Sequence, residues 1–204
     1  MKCYTYIVAR DFGFAPNPFG GFCTLATCKP DIRSIAQIGD WIIGIGSSTK
    51  RQKNKMIYAM KVSEILTYNE YWNDLRFEYK KPLMNGSLVT AFGDNIYHTS
   101  TETNEWLQAN SHHSNEDGTI NELNLKRDTK SQNVLISNHF FYFGVECPAI
   151  PAKFINETTS RKYRTISDET IINDLIGWLD KNYPVNELIG DPTQFSDFKR
   201  YDGK

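Results

Sequence analysis

The sequence predicts one α+β domain spanning residues 1–204. Hydrophobic residues make up 40% of the chain, which is enough to build a core of ordinary size. Strand-like runs recur between residues 3 and 145, and an amphipathic helical pattern lies near the C-terminus. We find no internal repeat, low-complexity block or linker, so these elements are expected to pack around one core.

The strand predictions rest on runs rich in β-branched and aromatic residues. Residues 3–9 form the first such run. Residues 41–46 are continuously apolar, which predicts a strand buried on both faces. Residues 56–66 predict the returning strand of a hairpin, and residues 134–136 and 140–145 are the last clear strand-like runs.

Three segments carry helical signals. A short helix is predicted to begin at Pro30, because proline is favoured in the first helical turn. Residues 68–77 carry aromatic and apolar residues at helical offsets. The strongest pattern is that of residues 165–183, where Asp168 and Glu169 supply a cap and an acidic first turn. This C-terminal helix is expected to pack across the sheet.

Composition excludes several classes of protein. There are 23 basic and 24 acidic residues, and this balance argues against a disordered chain and against a polycation that binds nucleic acid by charge alone. The four cysteines lack the spacing of a zinc site. Cys23 and Cys28 could be nucleophiles only with a nearby base, and the sequence shows none adjacent, so buried structural thiols are expected. No run of about 18 apolar residues occurs. We therefore expect a reduced, cytoplasmic protein with no membrane partner, no metal and no cofactor.

Residues 13–21 form the first candidate binding segment, because three glycines and two prolines in nine residues exclude a regular element. Phe14 or Phe19 would stack on a flat ring. Asn17 offers both a donor and an acceptor, the pattern suited to the edge of a base. The alternative is a rigid connector whose phenylalanines fill the core.

Charged residues near this segment have two interpretations each. Arg10 and Asp11 would form an ion pair at a strand end. Alternatively, Arg10 would bind a phosphate and Asp11 would bind a base or a sugar hydroxyl. Lys29 and Arg33 are four residues apart and would share one helical face, either around an anion or in solvent.

All four histidines lie between residues 98 and 139. Asp94, His98 and one of the paired His112 and His113 could form a metal or acid–base group. Adjacent residues point to opposite sides of an extended chain, so at most one of the pair is expected in a given site. No zinc-protease or deaminase motif is present, which favours a polar pocket without metal.

Several runs of this sequence resemble the nucleotide modification associated domain 2 family, over roughly residues 2–155. These runs are Arg10-Asp11-x-Gly13-x-Ala15-Pro16-Asn17-Pro18-Phe19, Cys23-Thr24-Leu25-Ala26-x-Cys28-Lys29-Pro30, Gly39-Asp40-Trp41, Gly93-Asp94-Asn95-Ile96-Tyr97, Ser111-His112-His113-Ser114, Val134-Leu135-Ile136-Ser137 and Phe140-x-Tyr142-Phe143-Gly144. The resemblance implies an association with DNA or nucleotide modification systems of phages and bacteria. It supplies no catalytic residue.

A second resemblance is to EVE and other PUA-like domains. They share an opening strand, a short helix, a Gly-Asp pair with an apolar strand and a hairpin return, an order that runs here from Tyr4 to Leu66. This resemblance implies a small β-barrel in residues 1–155, with peripheral helices and an aromatic pocket for a modified base. Residues 86–133 are then a long insertion that such domains lack.

The first functional hypothesis is a module that binds a modified nucleobase or nucleotide, in DNA rather than RNA. Its candidate ligand-binding residues are Arg10, Asp11, Phe14, Asn17, Phe19, Lys29, Arg33, Asp40, Trp41 and Asn95. Phe14, Phe19 and Trp41 would stack, Asn17 and Asp40 would read an edge, and the basic residues would hold phosphate.

Two other classes of function stay open. In an enzyme acting on a base or nucleotide, the general acid–base candidates would be Asp11, Asp94, His98 and His112. In a structural partner subunit, the surroundings of Trp72 and Trp106 would supply interface anchors.

Overall fold

The computed structural model describes residues 1–158, 162–196, 198–201 and 203. Its main sheet has five strands in the order β10-β1-β3-β4-β9. The strands of this sheet are β1 (Cys3–Val8), β3 (Trp41–Gly46), β4 (Met56–Lys61), β9 (Phe140–Tyr142) and β10 (Tyr163–Ile166). Strand β3 runs parallel to β1 and antiparallel to β4, and all six of its residues are buried. The prediction of a doubly buried strand in a hairpin is therefore confirmed.

The predicted strand over residues 56–66 is two strands in two different sheets. After β4 the Ser63 N–H donates to the carbonyl of Ile136 at 2.8 Å, so the chain exchanges one partner strand for another. A second sheet results, in the order β2-β8-β5. Its members are β2 (Cys23–Leu25), β5 (Glu64–Thr67) and β8 (Asn133–Ser137). Local composition carries no signal for such a change of partner.

Six α-helices occur in the described residues: α1 (Pro30–Ile35), α2 (Tyr68–Asn73), α3 (Leu88–Ala91), α4 (Glu122–Asp128), α5 (Ala152–Thr158) and α6 (Glu169–Asn182). The prediction for α6 is confirmed, since Asp168 caps its first turn and Ile172, Leu175 and Leu179 enter the core beside the main sheet. The predicted helix over residues 68–77 divides into α2, which begins with a Thr67–Glu70 capping box, and a 3₁₀ segment (Leu75–Lys80).

The region between residues 86 and 133 has its own small architecture. It contains α3, α4 and a two-stranded sheet of β6 (Tyr97–Thr99) and β7 (Trp106–Gln108). Its apolar residues join the second sheet in a hydrophobic cluster that is separate from the cluster around the main sheet. The Phe12 and Phe14 side chains belong to this second cluster, so the N-terminal loop connects the two.

The α+β class is confirmed. The described residues form three open sheets and no closed barrel, so the relationship to PUA-like barrels stays a prediction. None of the described helices has the length and apolar character needed to cross a membrane.

Candidate functional site

A cavity of about 630 Å³ lies where the two hydrophobic clusters meet, a volume typical of small-molecule sites. This cavity is surrounded by five segments: the end of β1, the loop after it, the start of α1, the 112–113 turn and the C-terminal segment. The lining residues are Tyr6, Ile7, Val8, Ala9, Arg10, Phe12, Phe14, Ala15, Cys28, Lys29, Pro30, Asp31, Ile32, His112, His113, Arg127, Lys162, Tyr163 and Tyr201.

One wall of the cavity is aromatic. The centroid of the Phe14 ring lies 5.1 Å from that of His112 and 4.6 Å from that of His113. Phe12 packs on His112 from another side, at 4.9 Å. Phe14 is only 3% exposed, so packing in the second cluster fixes its ring while the ring still borders the cavity. Both interpretations of this phenylalanine, as a core residue and as a cavity wall, therefore apply.

The rim of the cavity is positively charged. Arg10, Lys29, Arg127 and Lys162 line it, against the one carboxylate of Asp31. None of the salt bridges found among the described residues involves Arg10 or Lys29. A cavity with such a rim attracts anions, because low-dielectric walls focus the field of the unpaired charges.

Aromatic rings hold these cations in place. The guanidinium carbons of Arg10 and Arg127 lie 4.8 Å and 4.9 Å from the centroid of the Tyr201 ring. The Lys29 ammonium lies 4.4 Å from the centroid of the Tyr6 ring. Burial lowers the pKa of Lys29, while the Cys28 and Asp31 side chains oppose that shift.

His112 and His113 both line the cavity, contrary to the prediction that at most one of them would. That prediction assumed an extended chain, whereas the segment turns: the Ser114 N–H donates to the Ser111 carbonyl at 3.2 Å. The two rings consequently lie on the same side, with their centroids 5.5 Å apart.

Asp128 at the end of α4 organises the polar side of the cavity. It is fully buried, and its Oδ2 lies 2.8 Å from Nδ1 of His113 and accepts from the Tyr97 hydroxyl at 3.1 Å. Its Oδ1 accepts from the Cys28 N–H at 3.0 Å and from Arg127 Nε at 3.1 Å. These donors satisfy the carboxylate, and His113 and Arg127 hold its pKa well below the usual range although burial acts in the opposite direction.

The two histidines have opposite protonation tendencies. Burial disfavours the charged form of His113, but the Asp128 carboxylate and hydrogen bonds to Asp128 and Cys28 raise its pKa to about 9. Burial and the neighbouring charge of His113 lower the pKa of His112 to about 3. At neutral pH, His113 is therefore protonated and His112 is neutral. Nδ1 of His112 has no hydrogen-bond partner in the described part of the chain.

Arg33 lies beneath the cavity and does not line it. The side chain is fully buried, and it donates to the carbonyls of Cys28 at 2.8 Å, Ser131 at 3.0 Å, Asn133 at 2.6 Å and Asp128 at 2.5 Å. A planar guanidinium supplies several donors in a fixed fork, which suits this role. Arg33 thereby ties the turn before α1 to the end of α4, and it positions Cys28 in the cavity wall and Asp128 behind it.

Two of the acidic candidates are buried in hydrogen-bonded sites away from the cavity lining. Asp11 accepts from the Tyr142 hydroxyl at 2.5 Å and from the Thr193 N–H and hydroxyl at 3.1 Å each. Asp94 accepts from the Thr24 hydroxyl at 2.6 Å and the Tyr71 hydroxyl at 2.8 Å. Burial raises the pKa of both carboxyl groups.

Asn17 and Phe19 also lie outside the cavity lining. The Asn17 side chain donates to the carbonyl of Phe92 at 3.0 Å, and its Oδ1 accepts from the buried Lys80 ammonium at 2.6 Å. Phe19 packs on Phe195, with their centroids 5.6 Å apart. At Asn17 and Phe19, the glycine- and proline-rich loop therefore acts as a structural connector whose side chains pack in the interior.

The remaining candidates serve other parts of the fold. Asp40 caps backbone N–H groups, Trp41 packs in the main core near Phe141, and His98 stacks on Trp72 with centroids 3.9 Å apart. Asn95 is fully buried and donates to the Tyr71 carbonyl at 2.9 Å. Of the residues chosen from sequence, the cavity lining contains Arg10, Phe14, Lys29 and His112.

Sequence reasoning named His113 only as the alternative to His112, and it favoured a buried structural role for Cys28. It missed the other residues that complete this site, which are Tyr6, Phe12, Arg127, Asp128, Lys162 and Tyr201. Cys28 and Asp128 are 100 residues apart in the chain, so no local spacing could have paired them. The one available signal was that Cys28-Lys29-Pro30 and His112-His113 both belong to the runs that carry the family resemblance.

No group of three or more His, Cys, Asp or Glu side chains that could hold a metal ion occurs among the described residues. The four cysteines are free thiols.

The comparison with protein families gives one match. Residues 1–199 match the family model described as nucleotide modification associated domain 2, a longer stretch than residues 2–155, which carry the resemblance seen in the sequence. No curated protein and no solved structure gives a significant match.

Proposed function

The chain belongs to the nucleotide modification associated domain 2 family, and on this premise we propose that its cavity binds a nucleotide carrying a natural or modified base. One observation carries the proposal: a cavity of about 630 Å³ combines an aromatic wall with a rim on which four of the five Arg, Lys and Asp side chains are basic. Flat rings and unpaired cations are the two features that a base and its phosphate require.

The base would lie against the aromatic wall. Stacking on such rings contributes about 1–3 kcal/mol per base and accepts every base, because each has a π-face. Phe14 and Phe12 are held rigidly by the second cluster, so little ordering is needed on binding. Selectivity for one base or modification would come from polar groups, and the unpartnered Nδ1 of His112 is one such group in the wall.

The phosphate would bind at the rim. Arg10 and Lys29 have no salt-bridge partner among the described residues, and Arg127 is oriented by its bond to Asp128. Guanidinium groups present paired donors to phosphate oxygens, and lysine adds a point charge. Both guanidinium groups contact the Tyr201 ring, which would hold them near a shared anion.

Two narrower statements belong to the same proposal. We place the nucleotide in DNA rather than RNA, within modification or defence systems of phages and bacteria, as the resemblance implies. We also propose kinship with PUA-like base readers, supported by the order of strand, helix, strand and hairpin from β1 to β4. A comparison of matched deoxyribonucleotides and ribonucleotides tests the first of these statements.

Of the four acid–base candidates chosen from sequence, the cavity lining contains one, His112. Asp11 and Asp94 are committed to buried hydrogen bonds elsewhere. An enzyme based on those four groups together consequently has less structural support than a binding site.

Isothermal titration calorimetry with nucleoside monophosphates tests the proposal, together with native mass spectrometry for a co-purifying nucleotide. Replacing both Arg10 and Lys29 by alanine should weaken binding at least tenfold, because a hydrogen bond to a charged group contributes about 1.5–3 kcal/mol. Lys181→Ala removes an exposed charge outside the cavity lining and should leave affinity unchanged. Equal affinities of the double variant and the wild type would contradict the proposal.

A further inference from the structure

Cys28 differs from the other three cysteines of the chain. Cys3, Cys23 and Cys147 are buried, whereas Cys28 is half-buried and lines the cavity. Its N–H donates to Asp128 and its carbonyl accepts from Arg33, so the backbone is held from both sides. This anchoring fixes the point from which the thiol projects.

A histidine and a carboxylate adjoin this thiol. The His113 ring lines the same cavity as Cys28, and both residues are held by one carboxylate: His113 Nδ1 lies 2.8 Å from Oδ2 of Asp128, and the Cys28 N–H donates to its Oδ1 at 3.0 Å. Asp128 and His113 are 0% and 2% exposed, so solvent does not weaken their interaction. A nucleophile, a nearby histidine that transfers a proton and a carboxylate that orients the histidine are the three parts of a thiol-based catalytic centre.

We propose that Cys28, His113 and Asp128 form a nucleophilic centre in the wall of the cavity and that Cys28 adds covalently to a pyrimidine base bound there. The inference rests on the proposed nucleotide binding, and it adds a covalent reaction of the bound base to that binding. Cys28 and His113 are the catalytic residues, and Asp128 is a positioning residue that holds the imidazole.

The protonation state of His113 favours this role. Because its pKa is raised to about 9, the imidazolium form predominates at neutral pH beside the thiol. A neighbouring imidazolium stabilises a thiolate, and the thiolate is the reactive form of cysteine. Arg127 and Lys29 add positive charge to the lining of the same cavity.

A pyrimidine is the substrate class that this chemistry selects. Its C6 is the electrophilic carbon of a conjugated system, and unmodified purines lack an equivalent carbon. Cys28 loses its proton to solvent, and the resulting thiolate Sγ forms a bond with C6. The C5–C6 π bond breaks, and its electron pair moves to C5 and the C4 substituent. The imidazolium of His113 gives its proton to C5 and takes one back from solvent, which leaves a 5,6-dihydro thioether without any redox co-reactant.

His112 supports the presence of a ligand independently of the thiol. It is 4% exposed, lines the same cavity, and its Nδ1 has no partner among the described residues. A buried polar atom without a partner is rare in proteins unless a ligand or water satisfies it. A neutral imidazole there can accept a hydrogen bond from an N–H of the base.

Alkylation by iodoacetamide, followed by peptide mass spectrometry, tests the thiol itself. In the native protein Cys28 should react before the three buried cysteines. The titratable and charged groups around the pair are Tyr6 of β1, Lys29, Arg33 of α1, Tyr68 of α2, Tyr97 of β6, His112, Arg127 and Asp128 of α4, and Tyr201.

His113→Gln and Asp128→Asn should both slow Cys28 alkylation at neutral pH, and the His113 variant should slow it more. A variant that fails to fold is recognised because all four cysteines then react at similar rates, and in that case the order of alkylation in the wild type decides. A wild-type protein in which Cys28 does not react first would overturn the nucleophilic centre.

Deuterium exchange tests the covalent step. Reversible addition should replace the C5 hydrogen of deoxycytidine or deoxyuridine monophosphate, or of the same bases in a short single-stranded oligonucleotide, when the wild-type protein is incubated in deuterated water. At saturating nucleotide, Cys28→Ser should lose at least 100-fold in exchange rate.

The outcomes separate the two proposals. Binding by the wild type without exchange overturns covalent addition and leaves the nucleotide site intact. Absence of binding to any nucleotide overturns the proposed function and the pyrimidine step together, whereas preferential alkylation of Cys28 that depends on His113 would still support the thiol centre.

Discussion

The backbone N–H of Tyr201 donates to the carbonyl of His112 at 2.8 Å. This bond joins the C-terminal segment to the turn that carries the two cavity histidines. The same segment donates from Arg200 to the Ser111 carbonyl at 2.6 Å. One side of the cavity is therefore built from residues that are distant in sequence from the rest, and the tail after α6 contributes directly to the site.

Removing the Tyr201 ring should weaken nucleotide binding. Tyr201→Ala leaves Arg10 and Arg127 without the surface that orients them, and cation–π contacts of this kind contribute about 0.5–1 kcal/mol each at exposed sites. We expect an affinity about three- to tenfold lower by calorimetry. Tyr201→Phe keeps the ring and should retain wild-type affinity. A loss of affinity in both variants would show that the hydroxyl, and not the ring, is important.

Replacing Arg33 should destabilise the fold. Arg33→Ala removes a buried charge and leaves four backbone carbonyls without their donor. We expect the free energy of unfolding to fall by about 3 kcal/mol or more in urea denaturation, since each unsatisfied buried group costs about 1–3 kcal/mol. Arg33→Lys keeps the charge without the planar fork and should recover only part of the loss.

Ser34→Ala is the matched control for Arg33, because this neighbouring side chain is exposed on the same helix. Its effect should stay within about 0.5 kcal/mol. Equal stabilities of Arg33→Ala and Ser34→Ala would contradict the role assigned to the guanidinium.

The His113–Asp128 pair should make stability depend on pH in a defined direction. The pKa of His113 is about 9 in the folded protein, above the value of about 6.5 expected when unfolded. The folded state therefore binds this proton more tightly, and the resulting stabilisation is complete below pH of about 6.5 and lost as pH rises through about 9. The lowered pKa of Asp128 makes its contribution present above pH of about 4 and lost on further acidification.

The difference in Tm between wild type and His113→Gln measures this effect, because the other titrating groups are shared and largely cancel. We expect the difference to be largest between pH of about 5 and 6.5 and to shrink above pH of about 9. A difference that increases with alkaline pH would show that the pair is not charged in the folded protein.

Asn17 should affect stability without affecting the ligand. Asn17→Ala leaves the Phe92 carbonyl without the amide that donates to it, and Lys80 loses its closest acceptor. We expect the free energy of unfolding to fall by about 1–3 kcal/mol in chemical denaturation. Nucleotide affinity, measured below the unfolding transition, should be unchanged. A tenfold loss of affinity in a folded Asn17→Ala variant would instead place this residue in the binding site.

The glycine- and proline-rich loop shows how far local reasoning extends. Composition identified residues 13–21 as irregular and as carriers of ring side chains, and Phe14 does border the cavity. The same criteria could not separate Phe14 from Phe19, which packs on Phe195 near the end of the chain. That distinction depends on a contact between segments that are far apart in sequence.

The amino-acid pattern by itself determined the α+β class, the buried hairpin of β3 and β4, the capped C-terminal helix and the family. Each of these follows from periodicity, capping or motif, which are properties of neighbouring residues. Only the tertiary structure decided which polar groups meet. Cys28, His113 and Asp128 come from a turn after β2, a second turn and the end of α4, and the buried Arg33 joins two of these segments. Charge, burial and hydrogen bonding depend on distance in space, so the chemistry of the cavity arises only when the chain has folded.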